Sequence, residues 1–88
     1  MKVFKYEIWK DDTTLQIPSK SQFLSVGAQG EKIVLWFMVD PSYAEQSTRF
    51  RVFCTGEDLP EDILTYVYRG TAAIREGLIL HVFEAREV

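Results

Sequence analysis

Arg49 and Arg51 stand two residues apart, and Phe53 follows at the same spacing. On an extended strand that spacing puts two guanidiniums and a ring on one face. Guanidinium forks match phosphate or carboxylate oxygens with paired hydrogen bonds. A ring beside them can stack on a base. The same pattern also suits a solvated strand face whose arginines meet cross-strand Glu partners. Tyr66 and Tyr68 repeat the spacing and could floor a pocket, their hydroxyls supplying polar contacts. An ordinary sheet face or an oligomer contact has the same signature. Arg69 extends the arginine patch if its strand lies near that of Arg49 and Arg51. His81, the single histidine, sits between apolar neighbours. It suits a proton donor or an anion contact, or a hydrogen-bonded packing residue. These seven residues are the candidate ligand-binding set.

Other chemistries find less material. Cys54 is the single cysteine and alternates with Phe50 and Val52, which reads as a buried, inert thiol. One thiol cannot form an internal disulfide, so a reducing cytoplasm is the simple expectation. One His and one Cys are too few for a zinc site of the usual kind. Glu57, Asp58, Glu61 and Asp62 could offer oxygens to a divalent cation, but lack the ligand spacing of a calcium loop. A solvated acidic turn accounts for them better. No Gly-rich phosphate loop and no nucleophile–base spacing occurs. The expectation is a protein with no catalytic residues, no metal and no cofactor.

The elements that must position these residues follow from a period near two along 88 residues. At this length one domain, residues 1–88, is expected. Residues 3–9 alternate, with Phe4, Tyr6 and Ile8 on one face and Lys5 and Glu7 on the other. Residues 14–17 make a short second strand that Pro18 ends. Residues 22–28 and 33–39 are the third and fourth. The fourth is apolar on both faces: Ile33, Leu35, Phe37 and Val39 against Val34, Trp36 and Met38. That suggests a central strand, or one covered by a partner. Residues 48–55 form a fifth strand, with Phe50, Val52 and Cys54 opposite Arg49, Arg51 and Phe53. Residues 57–62 are a turn of helix or plain loop. A sixth strand runs near residues 64–73, a turn spans 74–77, and a seventh strand spans 78–85. The last three residues are expected to fray. The pattern predicts an all-β fold, a small antiparallel barrel, roll or sandwich of about seven short strands.

Net charge is −3, from ten Lys and Arg against thirteen Asp and Glu. Duplex nucleic-acid binding needs clustered positive charge and is not expected. The charged N-terminal stretch is not a signal peptide, and no apolar run is long enough for a membrane span. Trp36, Met38 and Ile79 exceed the needs of one core face, which points to a homo-oligomer of two-fold symmetry.

Several phrases carry a resemblance through their order and spacing. They are Leu24-Ser25-Val26 with Gln29, then Leu35-Trp36 running to Val39-Asp40-Pro41. Phe50-Arg51 leading to Thr55-Gly56 follows, then Gly70-Thr71, then His81-Val82-Phe83-Glu84. Over residues 3–84 the chain resembles a family of small uncharacterised proteins encoded by tailed bacteriophages and prophages. The resemblance implies a setting, the cytoplasm of an infected or lysogenic bacterial host cell, and no chemistry. Relatives often carry His straight after Thr-Gly, where this chain has Glu57. Three functions stay open. The arginine and tyrosine faces favour a binding module that sequesters a small anionic, nucleotide-like host molecule, such as a defence signal, without catalysis. The acidic run at 57–62 suits a protein-binding inhibitor or modulator of a host enzyme. A virion structural or assembly protein is the third.

Overall fold

Alternation of period two builds every strand of the computed structural model, which describes residues 1–75 and 77–85. The strands are β1 (Lys2–Ile8), β2 (Thr13–Pro18), β3 (Gln22–Gln29), β4 (Lys32–Val39), β5 (Glu45–Cys54), β6 (Tyr66–Arg75) and β7 (Leu78–Ala85). One 3₁₀ turn, Glu61–Thr65, precedes β6. All strand pairs are antiparallel. One sheet has the order β1-β4-β3 and the other β2-β5-β7-β6. Both sheets keep free edges, so the fold is a sandwich and not a closed barrel. No helix among the described residues is long and apolar enough to cross a membrane. The expected fraying of residues 86–88 lies outside the described residues.

β4 is central in its sheet, as its two apolar faces require. Ile33, Leu35, Phe37 and Val39 point into the sandwich and meet Phe50, Val52, Leu80 and Val82 from the other sheet. Phe37 joins the layers. Its ring lies edge-on to Phe50 at 6.2 Å, to Phe23 at 5.6 Å and to Tyr6 at 6.0 Å. Such pairs add to the area that the rings bury. On the opposite side of β4, the Trp36 indole lies against Gly27, where a Cβ would stand 3.0 Å from Cζ3. Pro18 ends β2 on a sheet edge, where its missing N–H costs no ladder bond.

Two local differences from the sequence reading matter for the site. β6 runs on to Arg75, through part of the stretch assigned to a turn. β7, not β6, pairs with β5, so β6 is an edge strand one position further out. A bulge between Tyr68 and Gly70 leaves Arg69 unpaired. Gly70 takes φ 143° there, a value that favours glycine, and packs against Val26 of β3.

Candidate functional site

The outer face of the four-stranded sheet gathers six of the seven candidate residues. The register aligns Phe53, His81 and Thr71 in one row and Arg51, Phe83 and Tyr68 in the next. Arg49 and Tyr66 follow two residues further along their own strands. Parity explains the grouping: β5 and β7 turn Phe50, Val52, Leu80 and Val82 to the inner face and the intervening residues to the outer one, where Phe53 is itself buried. Phe83 lies edge-on to Phe53 at 5.9 Å and to Tyr68 at 5.1 Å.

These rings floor a pocket of about 350 Å³. Its walls are Thr55, Gly56, Glu57 and Leu59 from the loop after β5, with Cys54 at the end of that strand. The loop turns at Gly56, whose φ is 88°. Glu57 fixes it twice: its Oε1 accepts from the Cys54 N–H at 2.9 Å, and its own N–H donates to the Cys54 carbonyl at 3.1 Å. Cys54 is half-buried at this wall and packs against the core, where the sequence reading expected full burial.

His81 is held at both ring nitrogens. Nε2 lies 2.6 Å from Thr55 Oγ1 and Nδ1 lies 2.8 Å from the Tyr68 hydroxyl. A neutral imidazole has one donor and one acceptor. The phenol is the more acidic hydroxyl, so it donates to Nδ1 and leaves Nε2–H to donate to Thr55. The bonds pin the ring against Tyr68, 5.9 Å away and tilted by 34°.

The arginines carry their own counter-ions. Arg49 is hydrogen-bonded to Asp12. Arg51 Nε lies 3.3 Å from the other Asp12 oxygen yet makes no hydrogen bond. Arg51 Nη1 donates to Asp62 Oδ1 at 3.1 Å. Its guanidinium carbon sits 5.4 Å from the Phe53 centroid and 5.5 Å from that of Tyr66. The cross-strand Glu partners weighed from the sequence are therefore aspartates instead, from the β1–β2 connection between the sheets and from the 3₁₀ turn. Neither was legible as a partner, because Asp12 lies 37 residues from Arg49 in sequence.

Arg69 does not extend this patch. Its Nε donates to Glu84 Oε1 at 3.0 Å, and its guanidinium lies 4.7 Å from the Phe23 centroid, on the inner side of the sheet. There it lines a separate, more polar pocket of about 250 Å³ between the sheets, with Lys20, Ser21 and Thr48. Among the described residues, no three of His, Cys, Asp and Glu are grouped to hold a metal ion.

Acidification tests the Asp12 link. The Arg49 hydrogen bond, with both guanidinium charges adding, holds the Asp12 carboxyl below its ordinary range. A carboxyl depressed by folding stabilises the native state fully above that range, and the contribution is lost as pH falls through the lower folded value. Asp12→Asn is expected to lower Tm slightly at neutral pH and to flatten its decline below about pH 4. Thermal melts across that interval check it; identical acid limbs in both proteins would refute the link.

Fold and site together define a small antiparallel β-sandwich with an aromatic pocket on one outer face. The chain belongs to a family described as a domain of unknown function, DUF7352, whose model matches residues 1–88. No curated protein and no solved structure matches it.

Proposed function

We propose that the protein is a non-catalytic binding module. It takes the flat ring of a small anionic molecule into the pocket over Phe53, Tyr68, His81 and Phe83. In the phage setting that the sequence phrases imply, the bound molecule is a host nucleotide signal, sequestered unchanged. The observation that carries the reading is the aromatic floor with its doubly bonded imidazole. Edge-on rings leave a π-face for a heterocycle, and small-ligand sites start near 300 Å³. A pocket of about 350 Å³ suits one ring system better than two. The binding role is also favoured by His81, whose nitrogens are both engaged by neighbours and so are not poised on a substrate proton. The host-inhibitor alternative draws less support. Glu57 and Asp62, half of its four carboxylates, are spent on Cys54 and Arg51.

The reading includes a homo-oligomer. β1 is an unpaired edge and Val3 on it is exposed, beside Met38 in the register. Native mass spectrometry with mono-, di- and cyclic nucleotides reads subunit number and bound mass together. The expected result is a stoichiometric adduct of unaltered ligand mass. A protein that stays bare across the panel would overturn the binding site, and conversion of ligand into products would overturn the non-catalytic role.

A further inference from the structure

We infer that the Asp62 carboxylate occupies the place of the ligand's own oxyanion on Arg51, and that binding exchanges one for the other. The inference rests on the pocket reading above and names its ligand class: a heterocycle bearing a phosphate or carboxylate about one ring-width away.

Four observations lead there. Arg51 stands at the border of the pocket, its guanidinium carbon 5.4 Å from the centroid of Phe53, a floor residue. Its side chain is only 18% exposed, so its charge has lost much of its water and needs an anion. The anions it has are poorly fitted. Both Asp62 oxygens lean on the single nitrogen Nη1, at 3.1 and 3.4 Å, and buried Nε, though 3.3 Å from an oxygen of Asp12, a carboxylate that Arg49 shares, makes no hydrogen bond. A guanidinium fork is shaped for two parallel bonds from two nitrogens, and a tetrahedral phosphate or a free carboxylate can supply both. Finally, the Asp62 side chain is 63% exposed, whereas Ile63 beside it is buried and anchors the 3₁₀ turn. The carboxylate can rotate into water while the turn stays in place.

Charge on the face also sets the ligand's direction. Along β5, Arg51 precedes Phe53, and Thr55 and Glu57 come after it. An oxyanion is drawn to the Arg51 end and repelled from Glu57, whose carboxylate helps wall the other end. Arg49 is committed to Asp12 and Arg69 is on the inner side of the sheet, so neither replaces Arg51.

Isothermal titration with AMP and adenosine tests the exchange on the wild type, Asp62→Asn and Arg51→Gln. AMP is expected to bind wild type about tenfold tighter than adenosine, an ordinary value for one charge-assisted contact. Asp62→Asn should raise AMP affinity about threefold or more, because the competing anion is gone, and leave adenosine unchanged. Arg51→Gln should erase the preference for AMP. Asp62→Asn alters an exposed side chain, so it keeps the test sound if Arg51→Gln fails to fold. Equal binding of AMP and adenosine by the wild type, or an unchanged AMP affinity in Asp62→Asn, overturns the exchange and leaves the pocket standing. Failure of both probes to bind overturns the pocket and the exchange together.

Discussion

Phe50→Ala is expected to remove a large share of the protein's stability and to lower its Tm by more than about 10 °C. Phe50 has no exposed surface and is the ring through which the four-stranded sheet meets Phe37. Truncating a buried Phe costs about 3–5 kcal/mol, from lost transfer energy and the cavity left behind. A chain of 88 residues holds only about 4–13 kcal/mol of net stability. The same loss corresponds to a fall in Tm of roughly 12–40 °C, at about 4–8 °C per kcal/mol for a domain this small. Collapse of the sheets into the void would moderate the loss, but Phe37 is held from two other sides by Phe23 and Tyr6. Phe50→Leu retains most of the volume and should cost under about 1.5 kcal/mol. Circular-dichroism melts of the three proteins decide the matter. A fall in Tm under about 5 °C for Phe50→Ala would mean that this contact does not hold the layers together.

Parity made most of this architecture legible before any coordinates. Once residues 48–55 and 78–85 are read as strands, alternation alone assigns Phe50, Val52, Leu80 and Val82 to the core and Arg49, Arg51, Phe53 and His81 to the opposite face. The two apolar faces of β4 likewise announced a central strand. Pairing order is a different kind of information. Nothing in residues 66–75 states that β7 will come between them and β5, since that depends on which edge best covers β3 across the sandwich. Parity, and not only pairing order, takes Arg69 off the patch. Alternation with Tyr68 turns it inward, and the bulge before Gly70 lets it reach Glu84. The pocket was half legible. Its floor follows strand parity, so Phe53, Tyr68 and His81 were found. Its walls, Thr55 and Leu59, come from a loop whose path is set by Glu57 hydrogen bonds and by Ile63 burying itself. The counter-ions are tertiary facts of the same kind.

Phe83→Ala is expected to reduce binding of a ring-bearing ligand by roughly 10–100-fold, the range set by the worth of one stacked base. Phe83 lies between Arg51 and Tyr68 in the register and touches both Phe53 and Tyr68, so its ring is the centre of the floor. Phe83 is only half-buried and lies outside the core, so the same substitution should lower Tm far less than Phe50→Ala does. Affinity and stability thus move separately, as they must if the outer face serves a ligand and the inner face serves the fold. Leu24→Ala, on the other sheet and exposed, should change neither quantity. Phe83→Leu completes the comparison, because it restores apolar volume without a π-face. If stacking on the floor drives recognition, titration of AMP into Phe83→Leu will show an affinity as low as in Phe83→Ala. Recovery to the wild-type value would reduce the floor to a greasy surface and take away the reason to expect a flat heterocycle on it.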